Sequence, residues 1–188
     1  MSNIKKLFNP RTDSYLKFKQ KVLSNKFPWF FSERSDREDV CNDMGDEYEY
    51  TSFYSHALLL RPECLDAFLG KKYPQISSDY FEFAYNVMVE ILAFNEIRVN
   101  TFLRMNVNAV HPRKNRKTTP PHLDHETIPH KNILVYLTNS GGETIHIDDN
   151  GKKEIFLPEE DDVITFSGFH CHNTPPLNRR VVLVGTYI

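Results

Sequence analysis

The run Lys131-Asn-Ile-Leu-Val-Tyr-Leu137 leads through Asn139-Ser-Gly-Gly142 into Glu143-Thr-Ile-His-Ile147, and then into Asp148-Asp-Asn-Gly151. Seven residues rich in β-branched and aromatic side chains, closed by a Gly-Gly turn, read as a strand. A shorter strand follows, and Asp-Asp-Asn-Gly marks the next turn. The same texture continues downstream, with strands at 153–157, 162–166, 170–173 and 180–187. Upstream, residues 97–107 alternate in part. About eight short strands at even spacing therefore fill residues 97–188.

Residues 1–96 read differently. A Lys-rich amphipathic helix spans 12–26, with Thr12 or Asp13 as its cap. An aromatic knot, Phe27-Pro-Trp-Phe-Phe31, and an acidic loop at 36–49 follow. A short helix is expected at 63–70. Ser77-Ser-Asp79 then opens a second long helix, in which Tyr80, Ala84, Val87, Met88 and Ile91 recur at helical spacing through residue 94. Helices first and strands after them predict a mainly β fold: an antiparallel barrel or sandwich, such as a jelly roll, buttressed by helices. The 188 residues suit one domain, with 1–96 a helical part supporting a β core at 97–188.

Composition narrows the function classes. Hydrophobic residues make up 40% and aromatics 13%, enough for a real core. A net charge of −2 gives no global field that would select nucleic acid or an anionic membrane. Cys41, Cys64 and Cys171 form no C-x-x-C pair, which argues against a disulfide framework or a cysteine zinc site and for a reducing compartment. Lys5 and Lys6 have no apolar run behind them, so no leader is expected. No stretch approaches the roughly 18 apolar residues of a membrane span. The expected location is the cytoplasm.

Chemistry concentrates around His122-Leu-Asp124. On a strand, residues i and i+2 share a face, so an imidazole and a carboxylate point into one cavity. A second imidazole from a late strand completes a two-His, one-carboxylate facial triad for iron(II). His170 and His172 are both candidates and share a face. His146-Ile-Asp148 repeats the pattern, but Asp148 opens a turn and reads as a turn former. The loop from His111 to Pro121 carries Arg113, Lys114, Arg116 and Lys117 and no acid. It is either a solvated loop or a rim that meets substrate, which slightly favours anionic substrates. Alternation also puts Arg104, Asn106 and Asn108 on one face of an early strand.

The order His122-x-Asp124, Asn132-Ile-Leu-Val-Tyr-Leu-Thr-Asn139, Gly141-Gly-Glu-Thr144, His172-x-x-x-Pro176 and Arg180 resembles the prolyl 4-hydroxylase-like 2-oxoglutarate/iron(II) oxygenases. The likeness covers about residues 97–188. Phe27-Pro-Trp-Phe-Phe and Ser77-Ser-Asp-Tyr-Phe81 further look like small members from phage genomes, for which the location becomes the host cytoplasm. The resemblance implies a double-stranded β-helix (jelly roll, cupin-like) and iron held by His122, Asp124 and His172. Its proline four residues past the ligand favours His172 over His170. The family's nine- or ten-residue spacing from last His to basic residue is eight here, leaving Arg179 beside Arg180.

The resemblance also implies the co-substrates 2-oxoglutarate and O₂, with ascorbate as reductant. The implied reaction hydroxylates a C–H bond of a small-molecule or protein substrate and releases succinate and CO₂. Arg180 would bind the co-substrate's distal carboxylate, since a planar guanidinium grips a carboxylate bidentately and keeps its charge. Tyr136 would add a hydrogen bond, and His125, His170 and Arg113 are candidate substrate contacts. Two alternatives stand beside it: a cupin-like metal enzyme that does not use 2-oxoglutarate, and a degenerate oxygenase serving as a binding module.

Overall fold

The computed structural model describes residues 3–33, 48–63 and 73–188. Its elements are β1 (Lys5–Leu7), α1 (Asp13–Leu23), β2 (Phe30–Ser32), β3 (Phe53–Leu60), β4 (Gln75–Ile76), α2 (Phe81–Phe94), β5 (Phe102–Val110), β6 (Lys131–Tyr136), β7 (Thr144–Ile147), β8 (Lys153–Phe156), β9 (Val163–Phe166), β10 (Phe169–His172) and β11 (Arg180–Tyr187). A large sheet runs β1-β9-β6-β11-β5-β3-β2, with β4 added beside β3. A small sheet runs β10-β7-β8. The pairings are antiparallel. This is a mainly β, jelly-roll architecture with helices on one side.

Strand alternation sorts the large sheet into two faces. Ile133, Val135, Val181, Leu183, Val107 and Ala109 point to one face and pack against Tyr15, Phe18 and Val22 of α1 and Val87, Met88 and Ile91 of α2. Leu134, Tyr136, Val182 and Val184, one residue out of phase, point to the other and pack with Ile164 and Phe166. Each large apolar side chain buried in this way contributes about 1.5–3 kcal/mol.

Both helices begin near the expected residues. The Thr12 hydroxyl accepts from the Tyr15 N–H and caps α1. At α2 the Ser78 hydroxyl accepts from the Tyr80 N–H at 3.1 Å.

The division of the chain differs from the expectation in one respect. Residues 1–96 supply α1 and α2 but also four strands, and β3 lies inside the large sheet between β5 and β2. Residues 97–188 supply the other seven. The short helix expected at 63–70 and the acidic loop at 36–49 fall almost wholly outside the described residues, as do Cys41 and Cys64. Among the described residues no helix is long and apolar enough to cross a membrane.

Candidate metal centre

The site is assembled along the outer edge of β10. Residues 117–122 pair with it: Thr119 N–H donates to His172 O at 2.8 Å, His122 N–H to His170 O at 2.9 Å, and His170 N–H to His122 O at 3.1 Å. The Thr119 hydroxyl accepts from His172 N–H at 2.9 Å. His122 and His170 are thus directly opposed in an antiparallel bridge. Opposed residues project to the same side, and so do residues two apart on a strand. Register alone therefore places His122, His170 and His172 together.

Ligand atoms of these three imidazoles lie within 4.8 Å of one another. Asp124 joins from the His170 side, with its Oδ2 3.6 Å from His170 Nε2. Its other oxygen, Oδ1, accepts from Arg104, and its main-chain carbonyl accepts from Arg61 at 2.8 Å. Burial alone would push the Asp124 carboxyl up. Arg104, with His170, His122 and Arg61, outweighs burial and holds it well below the usual carboxylate range. Burial pushes the His170 imidazole down to about 3 and His172 far below its usual range. Neutral imidazoles beside an ionised carboxylate are the protonation states a divalent cation needs.

One cavity of about 120 Å³ between the sheets is lined by His122, Asp124, His170, His172, Tyr136 and Arg180. Arg180 is 6% exposed, at the start of β11. Its Nη1 donates to Gly142 O at 3.1 Å, and its buried Nε has no partner among the described residues. Gly142 suits this place: its φ is +80°, and a Cβ there would meet Asn173 O at 2.9 Å and Pro175 Cα at 3.2 Å. The Tyr136 hydroxyl pairs with Thr144 Oγ1 at 2.6 Å, which bridges the two sheets, and burial raises its pKa to about 12.

These contacts place every candidate. Arg180 faces the cavity, whereas Arg179 turns away and lies over the Trp29 ring, 5.6 Å from its centroid. Arg104 and Asn108 line the cavity as alternation suggested. His170, named both as an alternative to His172 and as a candidate substrate contact, stands in the imidazole cluster itself. His125 does not line the cavity. It is buried, with Nδ1 2.7 Å from Glu63 Oε1 and Nε2 2.7 Å from Thr186 Oγ1. Arg113 pairs with Glu49 at 3.0 Å, Lys117 pairs with the same carboxylate at 2.8 Å, and Arg116 pairs with Glu143. Three of the loop's four cations thus share two acids from elsewhere in the chain. Asp148 is a turn former: its Oδ1 accepts from Asn150 N–H and Lys152 N–H at 2.9 and 2.8 Å. Arg61, which reaches the Asp124 carbonyl, carried no signal in the sequence; Thr144, which meets His172 Nδ1 at 3.0 Å, stood in the Gly-Gly-Glu-Thr stretch but was given no role there.

No family model and no curated protein sequence matches the chain, so likeness is read from structure alone. An oxidoreductase of the 2OG-Fe(II) oxygenase family from Burkholderia pseudomallei superposes with a TM-score of 0.71 at 16% identity. The match covers 98% of this chain and 84% of that one. The non-heme α-ketoglutarate-dependent epimerase SnoN from nogalamycin biosynthesis gives 0.57 at 12% identity, covering 99% and 77%. A prolyl hydroxylase from Trichoplax adhaerens, solved with a hypoxia inducible factor peptide fragment, gives 0.53 at 8%, covering 99% and 83%. The chain therefore has the fold shared by 2OG-Fe(II) oxygenases, with a cluster of three imidazoles and a carboxylate in its cavity.

Proposed function

We propose that the protein is an iron(II)- and 2-oxoglutarate-dependent oxygenase that hydroxylates a C–H bond of its substrate. The observation that carries this reading is Arg180, a buried guanidinium with an unpartnered Nε in the same cavity as the imidazole cluster. A buried cation left unsatisfied costs stability, and an incoming carboxylate removes that cost.

The residues present fit the cation and co-substrate. His122, Asp124 and His170 would hold the iron. The His122 and His170 rings lie 4.4 Å apart between centroids, nearer than either lies to His172, and Asp124 Oδ2 is 3.6 Å from His170 Nε2. This moves the choice of late ligand from His172, which the proline spacing favoured, to His170. It also resolves the spacing to the basic residue, because Arg180 lies ten residues past His170. Arg180 would take the distal carboxylate of 2-oxoglutarate, and the Tyr136 hydroxyl would donate to it.

Leu134, Val182 and Val184 line the same cavity and keep it apolar between its polar ends. When bound, iron with 2-oxoglutarate and O₂ supplies the oxidising power, and the protein supplies orientation and a dry cavity. No side chain is required as a general base.

A second reading rests on a specific observation. The tightest cluster is three imidazoles, and Arg104 already engages Asp124. That favours a cupin-like metal enzyme that does not use 2-oxoglutarate.

One assay separates the two. The purified chain with iron(II), ascorbate, air and 2-oxoglutarate should release succinate, even uncoupled, and Arg180→Met should abolish the release. No succinate, together with no 2-oxoglutarate binding to the manganese-loaded chain, would overturn the oxygenase reading.

A further inference from the structure

We propose that Arg61 receives a second carboxylate, that of the substrate, so that the site takes a small organic acid or an acidic side chain of a peptide beside 2-oxoglutarate. This rests on the oxygenase reading above and deepens it to a substrate class. A charge imbalance carries it. The guanidinium groups of Arg61, Arg104 and Arg180 all line the cavity, and among the described residues Asp124 is the one carboxylate that does.

Guanidinium groups keep their charge when buried. Arg104 is paired with Asp124. A divalent cation and a doubly ionised keto acid would cancel each other. The filled site would then still hold the charges of Arg61 and Arg180 unanswered. An uncompensated charge in a closed cavity is costly, and an anion that enters with the substrate removes that cost.

Arg61 is the group placed to meet this anion. It follows β3 directly, is half-buried, and reaches the cavity on the Asp124 side. Arg180 instead sits at the start of β11 against Gly142. The Arg61 Nη1 donates to the main-chain oxygen of Asp124 at 2.8 Å, and among the described residues the side chain pairs with no carboxylate. That bond uses one N–H of the fork and anchors the arm beside a candidate metal ligand. An edge of the guanidinium remains for an incoming carboxylate.

Asn108 adds a second requirement. Its Oδ1 is buried in the same cavity lining without a partner among the described residues. A carbonyl oxygen accepts, so the substrate must bring an N–H or O–H. Phe53 and Leu123 add apolar wall. The class is therefore a carboxylic acid that carries an amide, amino or hydroxyl group on a short aliphatic frame.

The test is calorimetric titration of the full chain loaded with Mn(II) and 2-oxoglutarate. One probe pair is N-acetylalanine and its primary amide, which differ in the carboxylate alone. The other is a blocked aspartyl tripeptide and its asparaginyl counterpart. The acid of at least one pair should bind about tenfold to 100-fold more tightly than its amide. A preference in the first pair assigns a free acid, and one in the second pair alone assigns a peptide side chain. Arg61→Gln should remove the preference and leave 2-oxoglutarate affinity within about twofold. Arg61→Lys, which keeps the charge but loses the fork, should keep only part of it.

Acids that bind no better than their amides, or not at all, would overturn the proposal. So would a preference that survives Arg61→Gln, or an equal loss of 2-oxoglutarate affinity in that variant, which would mean that Arg61 only holds residue 124 in place. If Arg61→Gln does not fold, an undiminished preference in Arg61→Lys would overturn it. Failure of the wild type to bind 2-oxoglutarate sinks the oxygenase reading instead. The acid–amide comparison on the Mn(II)-loaded Arg180→Met chain then decides Arg61 by itself.

Discussion

On the helix-covered face of the large sheet, Val135, Val181 and Val107 meet Phe18, Met88 and Leu92, and all of these side chains are apolar and almost fully buried. One residue along the same three strands, Tyr136, Arg180 and Asn108 point the other way and line the cavity. There Arg180 Nε and Asn108 Oδ1 are buried without partners among the described residues. β6, β11 and β5 thus serve two purposes by parity alone. One face supplies stability, and the other holds polar atoms without partners among the described residues. Changes on one face should therefore leave the property of the other intact.

The hardest blow to the first face is Phe18→Ala. Phe18 is fully buried in α1, and its loss should cost about 3–5 kcal/mol in a denaturant titration. Metal affinity under folding conditions should stay within twofold. A parallel loss of metal binding would show that the faces are coupled.

The mirror experiment is Arg180→Met. The 2-oxoglutarate affinity of the manganese-loaded protein should fall about 100-fold, or about 3 kcal/mol. The unfolding midpoint should hold or rise, because a buried charge with an unmet N–H is exchanged for a methyl thioether. Arg179→Met should leave 2-oxoglutarate affinity unchanged, and equal effects from the two arginines would remove the case for Arg180.

A smaller effect tests the seam between helix and sheet. Asp161 accepts from Tyr15 and Lys19 of α1 and pairs with Arg11 at 2.8 Å. Burial pushes its carboxyl up, but Lys19, Tyr15 and Arg11 outweigh that and hold it below the ordinary value of 3.8. A carboxyl depressed in the folded state adds stability above its unfolded pKa and loses it as pH falls through the folded one. Asp161→Asn should therefore cost about 1 kcal/mol at neutral pH. The gap from wild type should close as pH falls below about 4. A gap that does not change with pH would show that the carboxylate's charge is not what matters.

Smallest of all, Glu49→Gln should cost under about 0.5 kcal/mol, because its partners Arg113 and Lys117 are more than a third exposed.

The sequence was most legible where period and punctuation agreed. The turns at Asn139–Gly142 and Asp148–Gly151 bound β6, β7 and β8, and six of the seven strands of residues 97–188 lie within about a residue of where texture and turns put them; β5 begins at Phe102 rather than at 97. β3 escaped for a physical reason: its register shifts between Ala57 and Leu59, and such an irregularity breaks the period of two. β1, β2 and β4, at two or three residues, are too short to show any period.

At the site, spacing put His122 and Asp124 into one cavity, and both line it. Parity could not separate His170 from His172, because residues two apart share a face. What the register adds is that His170 opposes His122 across the bridge and is approached by Asp124. Arg104 was placed on the right face but given no partner, because the sequence does not show that residue 104 meets residue 124.

The pairing of the 111–121 loop with Glu49 and Glu143 bears on how ligands arrive. Glu49 and Glu143 offset two of the four positive charges on Arg113, Lys114, Arg116 and Lys117. The ground beside the cavity therefore keeps a positive charge that draws in an anion. The association rate of an anionic ligand should fall as salt is raised from about 10 mM to 200 mM, and an unchanged rate would show that the loop does not steer.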